Sequence, residues 1–244
     1  EDYGINVTPQ EGSGSSNLHA VKNGIGLIGY TSSIDLNDAK NGTGPFDEPI
    51  SDLRVVFTGY DLPIWFFARA DSGIETLEDF RGKKILLYKT TNRNPGKAMA
   101  LALEKAGLTS SDYQAIEFTD DAELTAALQD GRVDAIIVNA SLTTAAFVEL
   151  ANNVNVKVVR IEERILNEVA EELGWPKVIT IPGGSFPNNP DDVKSLAFTT
   201  NYATLASTPK GLVKQLLEYI YGEEHRADFL NAHGSLKSVV LENA

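Results

Sequence analysis

Pro63-Ile-Trp-Phe-Phe-Ala-Arg-Ala-Asp-Ser-Gly73 is an extended apolar run that ends in a turn before Ile74–Phe80. Aromatic and β-branched side chains favour a strand, and the closing Asp-Ser-Gly is turn chemistry. Its counterpart is Val178-Ile-Thr-Ile-Pro-Gly-Gly-Ser-Phe-Pro187, a strand running into paired glycines and prolines, which are strong local breakers. Between the two lies a self-contained alternation of strands and helices. The pattern predicts that the chain leaves one lobe along the first run, builds a second, and returns along the other. Such a layout leaves a cleft between lobes, where small-molecule sites concentrate. The predicted division is lobe I from residues 1–70 and 184–244, and lobe II from 71–183.

From Leu53 onward, short apolar strand-like runs alternate with segments of helical period. This predicts a two-lobed α/β fold with mostly parallel sheets and two hinge crossings. Strands are expected at Ile5–Thr8, Gly26–Tyr30, Arg54–Thr58, Pro63–Arg69, Lys84–Tyr88, Ala115–Phe118, Ala135–Val138, Val156–Arg160, Val178–Ile181 and Leu196–Ala203. Helices are expected at Leu18–Lys22, Lys97–Ala106, Ala122–Gln129, Ser141–Asn152, Glu162–Leu173 and Pro209–Tyr221. Start and stop signals support them: Asn94-Pro95-Gly96 opens the second and Gly107 closes it, while Gly131 closes the third.

The composition narrows the function classes. A net charge of −13 opposes a nucleic-acid partner, because binding a phosphate backbone is driven by basic surface. The longest apolar run, Leu62–Ala70, contains Pro63 and Arg69 and falls far short of the roughly 20 residues that cross a bilayer. The absence of cysteine rules out disulfides, thiolate metal sites and cysteine nucleophiles. His19, His225 and His233 are scattered, with no pair at metal-ligand spacing, so neither a metal nor a cofactor is expected. No GxSxG elbow is present, and acidic pairs such as Asp120-Asp121 and Glu162-Glu163 fall where carboxylates stay solvated, so catalysis has little support.

Polar clusters at strand ends are the candidate contacts, each with a plainer reading beside it. Gly12-Ser-Gly-Ser-Ser-Asn17, with Gly14 and Ser15 at its centre, precedes a helix. Small residues and a helix N-terminus suit an anion cradle, although the stretch also reads as a flexible turn and lacks the lysine of a P-loop. Thr31-Ser32-Ser33 ends the second strand, where ligands gather in α/β sheets and where Ser or Thr also caps helices. Thr90, Thr91, Asn92 and Arg93 stand between a strand and the Pro95 helix. There a guanidinium fork suits a carboxylate, unless Lys89 and Arg93 are solvated loop charges. Asn139 follows another strand as a contact or a cap, and Phe186 is an aromatic wall or core.

The order of these pieces resembles a known family. Ala70-Asp-Ser-Gly-Ile-Glu-Thr-Leu-Glu-Asp-Phe-Arg-Gly-Lys-Lys-Ile85 looks like the segment at which two-hinge periplasmic binding proteins begin their second lobe. Ala106-Gly-Leu-Thr, Leu128-Gln-Asp-Gly-Arg-Val-Asp-Ala135 and Ile179-Thr-Ile-Pro-Gly-Gly-Ser-Phe-Pro187 resemble the TAXI group of solute receptors that serve TRAP transporters. The chain departs from that pattern at Thr90-Thr-Asn-Arg-Asn94, where the group has a glycine-rich turn. The group's pattern also carries a strand and helix ahead of Glu1 and a tail beyond Ala244, so a longer native chain is expected.

The resemblance implies a non-catalytic, periplasmic or extracytoplasmic receptor. It implies an acidic amino acid or a dicarboxylate as ligand and a membrane-embedded TRAP transporter subunit as partner. It places cleft contacts at Gly14, Ser15, Thr31, Ser32, Thr90 to Arg93, Asn139 and Phe186. The rival expectations are a ligand-sensing domain of a signalling protein and an enzyme on a similar bilobal frame.

Overall fold

The computed structural model describes residues 8–88, 95–118, 121–139, 150, 152, 154–185, 188–232 and 236. In chain order the elements are α1 (Gly14–Lys22), β1 (Gly29–Ser32), α2 (Ser33–Asn41), β2 (Leu53–Arg69), a 3-10 turn (Leu77–Phe80), β3 (Lys84–Tyr88), α3 (Pro95–Lys105), β4 (Gln114–Phe118), α4 (Asp121–Gln129), β5 (Ala135–Asn139), β6 (Val156–Val158), α5 (Glu163–Leu173), β7 (Lys177–Ile181), β8 (Val193–Leu205), α6 (Lys210–Tyr221) and α7 (Glu223–Ala232). The expected strand Ile5–Thr8 and helix Ser141–Asn152 fall largely outside the described residues.

The chain forms two compact units. Unit 1 is Glu1–Asp61 with Thr199–Ala244, and unit 2 is Leu62–Phe198. The divisions therefore fall inside β2 and β8, at other positions than the expected 70/71 and 183/184.

In unit 2, β3 pairs in parallel with β4 and with β5, while β5 and β6 both pair antiparallel with β2. These ladders hold Ile64–Arg69 in unit 2, which is why the division precedes them. Residues 63–68 of β2 are buried without alternation, as befits a strand covered on both faces. Trp65 and Phe67 stack at 5.4 Å and pack with Leu86, Leu128, Ile136, Val138, Val156 and Ile181 in one core. Just past β2 the chain turns sharply: the Arg69 guanidinium grips Asp71 with two bonds of 2.9 and 2.8 Å, and Gly73 takes φ 74°. Asp79 then anchors the 3-10 turn, its Oδ2 accepting from the N–H groups of Glu75 and Thr76 at 2.9 Å each.

Among the ladders of described register, parallel pairing is confined to β4, β3 and β5, whose connections run through helices α3 and α4. The other ladders of described register, β1–β8, β2–β5, β2–β6 and β7–β8, are antiparallel. The sheet is thus mixed rather than mostly parallel. The segment expected to return the chain to its first lobe is instead a hairpin. β7 pairs with the start of β8 from Lys177↔Ala197 to Ile181↔Val193, and the connection is tied by Gly183 N to Asp192 Oδ1 at 2.8 Å. β8 carries the chain out of unit 2.

Unit 1 is built around β1, the second half of β8 and the first half of β2. β1 pairs antiparallel with β8, from Gly29↔Ala203 to Ser32↔Thr200. Leu18, Ala39, Phe46, Ile50 and Ala203 form one core beneath α1 and α2. Val56, Phe57, Ile220 and Leu236 form another beneath α6, with Phe57 stacked on Tyr202 at 4.3 Å. Arg54–Thr58 and Pro63–Arg69, read from the sequence as separate strands, are one continuous strand. Among the described residues no helix is long and apolar enough to cross a membrane.

Candidate functional site

The first cluster of candidate residues is a helix start rather than a loop. α1 begins at Gly14, four residues earlier than expected, because Ser13 caps it by accepting from Ser16 N at 3.3 Å. A capping hydroxyl satisfies one of the N–H groups that a helix leaves open at its start and so offsets the weak helix propensity of Gly and Ser. Gly14 and Ser15 are therefore the first two helical residues, with Ser15 9% exposed.

α1 lies close against β1. A Cβ on Gly29 would come within 3.1 Å of Asn17 O and 3.2 Å of Val21 Cγ2, and Asn17 Nδ2 donates to the Tyr30 carbonyl at 2.8 Å. Alternate strand residues share a face, so Thr31 points to the same side as Gly29, toward α1. Thr31 is 1% exposed, and its Oγ1 has no hydrogen-bond partner among the described residues.

β1 passes directly into α2. Ser32 is the cap, accepting from Asp35 N at 3.2 Å, and its Oγ donates to Asp35 Oδ2 at 2.7 Å. That carboxylate oxygen stands where a Gly14 side chain would be, 2.2 Å from the position of a Cβ, and Thr31 Cα is 3.5 Å from the same point. Glycine at residue 14 leaves the space that Asp35 occupies. Gly14, Thr31, Ser32 and Asp35 thus border one spot at the starts of both α1 and α2, where helix N-termini supply partial positive charge.

The cluster extends toward the strands that leave the unit. Ser33 Oγ accepts from Thr199 N at 3.2 Å, and Thr199 Oγ1 donates to Asp61 Oδ1 at 3.0 Å. Asn201 Oδ1 accepts from Thr58 Oγ1 at 3.3 Å. Asp61 and Thr199 are the last and first residues of unit 1 on the two strands. Nearby, Tyr30 packs edge-on to Tyr202 at 5.5 Å, and burial, reinforced by the Tyr60 hydroxyl, raises the Tyr30 phenol well above its usual value.

In unit 2, Asn139 ends β5 half-buried and opposite Ile64 of β2. Thr90, Thr91, Asn92, Arg93 and Phe186 lie outside the described residues. The structure therefore brings Gly14, Thr31 and Ser32 together and sets Ser15 beside them in the same helical turn.

Asp35, Thr199 and Asp61 were not among the residues expected from the sequence. Asp35 carried a signal: Ser32-Ser-Ile-Asp35 has the serine-to-acid spacing of a helix start. Asp61 and Thr199 carried none, since only strand pairing joins them.

A concavity of about 1000 Å³ also lies in unit 1, lined by Val55, Leu205, Val213, Leu217 and Tyr221 among others. It contains none of the strand-end residues. Among the described residues no group of three or more His, Cys, Asp or Glu is placed to hold a metal ion.

A family model described as "NMT1-like family" matches residues 1–244. Among solved structures, the chain is similar to the periplasmic aliphatic sulphonate binding protein SsuA from Escherichia coli, with TM-score 0.53 and 17% identity over 93% of this chain and 67% of that one. It is similar to a TctC solute binding protein from Polaromonas, with TM-score 0.53 and 17% identity over 86% of this chain and 65% of that one. A periplasmic sulfonate-binding protein SsuA from Methylobacillus flagellatus gives TM-score 0.51 and 13% identity over 87% of this chain and 55% of that one. The chain spans about two thirds or less of the length of these structures. At such identities the likeness establishes the fold, that of periplasmic binding proteins.

Proposed function

Because the chain belongs to the NMT1-like family, we propose that it is a non-catalytic, extracytoplasmic receptor that captures a small solute and delivers it to a TRAP-type membrane transporter. The observation that carries this reading is the cluster of Gly14, Thr31, Ser32 and Asp35 around one spot, with a buried hydroxyl unpartnered among the described residues. Buried polar atoms are nearly always hydrogen-bonded, and an orphan costs about 1–3 kcal/mol. A bound solute would repay that cost.

In this mechanism the solute's contacts favour a closed state of the receptor over an open one. The proposed contacts are Gly14, Ser15, Thr31 and Ser32. Asn139, Thr90 to Arg93 and Phe186 are proposed as contacts from the sequence. The resemblance to TAXI receptors supports an acidic amino acid or dicarboxylate as solute and a TRAP subunit as recipient. Arg93 supports the carboxylate, since a guanidinium can bind it with two parallel bonds.

The test is a thermal-shift screen against amino acids, dicarboxylates and aliphatic sulfonates, because a solute that binds only the folded form raises the melting temperature. Calorimetry on Arg93→Ala then follows. We expect carboxylate affinity to fall about tenfold or more, as the loss of a charge-assisted bond predicts. No shift with any compound would end the capture reading, and unchanged affinity in the variant would remove Arg93 from the site.

A further inference from the structure

We infer that unit 1 carries a self-association surface: two copies of the chain pair α6 against α6 about a two-fold axis, each helix lying in the groove beside the other. The inference is independent of which solute is captured, and the groove shares no residue with the strand-end cluster.

An apolar stripe on α6 is left half covered. Lys210, Val213, Lys214, Leu217, Glu218 and Tyr221 line the concavity of about 1000 Å³, together with the start of β2 and the end of β8. Their spacing of three and four residues puts them on one face of the helix. In α6 Ile220 is buried, whereas Leu212, Val213, Leu216, Leu217 and Tyr221 are half-buried. α5 contrasts with it, since its Ile165, Leu166 and Val169 are packed away at 1%, 0% and 0% exposure. Val55, in the same groove, is 49% exposed. A partner that covers this face removes apolar surface from water.

Charge is ordered along the groove, and that order selects the partner. α6 starts with Lys210 and Lys214. Arg54 joins them, because Ala206 N donates to Asp52 O at 2.8 Å and so holds the start of β2 beside the end of β8, just before α6 begins. Glu218, Glu223 and Glu224 stand toward the other end, where α6 passes into α7. At 1.5 Å of rise per residue, Lys210 and Glu223 are roughly 20 Å apart. Within the chain Lys214 reaches Glu218 at 3.3 Å and Glu224 approaches His225 at 3.9 Å. Both are surface pairs of the kind that exchange partners at little cost.

A membrane surface or a nucleic acid, being of one sign, is repelled at the acidic end. A second copy laid antiparallel instead brings Lys210 and Lys214 to the level of Glu223 and Glu218, and a two-fold axis repeats each pairing. The groove is thus complementary to itself. Its three basic and three acidic residues balance on a chain of net charge −13, so copies meet least repulsion there.

Sedimentation velocity of the wild type, over a dilution series from micromolar to millimolar, should show a monomer–dimer equilibrium. Lys210→Glu/Lys214→Glu should weaken the dimer by about tenfold or more, as should Glu223→Lys/Glu224→Lys, because like charges then face each other at both repeats of the contact. Mixed in equal amounts, the two variants should form a mixed dimer within about threefold of wild-type affinity, since altered pairs then meet altered pairs and unaltered meet unaltered.

A wild type that stays monomeric throughout overturns the inference and leaves the groove to a different protein. A dimer that survives both reversals undiminished lies on another face, and a mixture that does not recover excludes the antiparallel two-fold; either result overturns it. The reversed side chains are exposed, and melting curves report whether each variant keeps its fold. Should one fail to fold, the other against the wild type gives the answer, with unchanged dimerisation overturning the inference.

Discussion

Thr200 Oγ1 brackets the backbone of Tyr60, accepting from its N–H at 2.8 Å and donating to its carbonyl at 3.0 Å. The contact requires Gly59, since a Cβ there would lie 2.4 Å from the same hydroxyl. Thr200 is 1% exposed, so the two bonds are made away from water. Replacing it with the isosteric Thr200→Val leaves a peptide N–H and C=O without their partner. The expected cost is about 1–3 kcal/mol, read as a lower midpoint in urea unfolding at unchanged slope. A cost near zero would mean that the bracket contributes nothing to holding β2 straight.

Thr31→Val should behave in the opposite way. Its hydroxyl is buried and unpartnered among the described residues, so removing it at constant shape relieves a desolvation cost. We expect the ligand-free protein to melt at the same temperature or higher and the solute-induced shift to shrink. A variant that is less stable without solute would show that Thr31 holds the fold together instead.

Asp79 sets an acid limit on unit 2. The backbone N–H groups of Thr76 and then Glu75 hold its carboxyl below the usual carboxylate range. The folded state thus favours the ionised form more than the unfolded chain does. The resulting stabilisation is complete above the unfolded value of about 4 and is lost as pH falls through the lower, folded value. Asp79→Ala should cost about 1 kcal/mol at neutral pH, discounted for its partial exposure. That difference should vanish as the pH drops below about 4 in chemical unfolding measured across the acid range. A difference that persists unchanged at low pH would mean that charge plays no part.

Local signals were legible where a single residue decides the backbone. Pro95 starts α3 and Gly107, at φ 79°, follows its end, and β3 runs over the residues that its apolar pattern predicts. Pairing between distant segments was not legible. Gly59-Tyr-Asp-Leu-Pro63 reads as a break, yet Thr200 keeps it extended from 140 residues away. The paired glycines at 183 and 184 signal a turn, but only the β7–β8 ladder decides that it is a hairpin. α7 went unread because it buries no residue and so shows no apolar stripe.

For the candidate site, Gly14, Thr31 and Ser32 were visible as small polar residues at element ends. Asp35 stands three residues after a serine, and in sequence that spacing says only that a helix starts there. Its second role as neighbour of α1 depends on the space left by Gly14, which exists only once β1 and α1 are packed.

The antiparallel partners Gly29 and Ala203 stand on either side of unit 2 in the sequence. During synthesis β1 precedes its partner β8 by all of Leu62–Phe198. That middle stretch is contiguous and can fold as soon as it is complete, whereas the flanking half cannot close until β8 arrives. The order of assembly is thus set by topology: the inserted half first, the enclosing half last, at the loop-closure cost that slows folds rich in distant contacts.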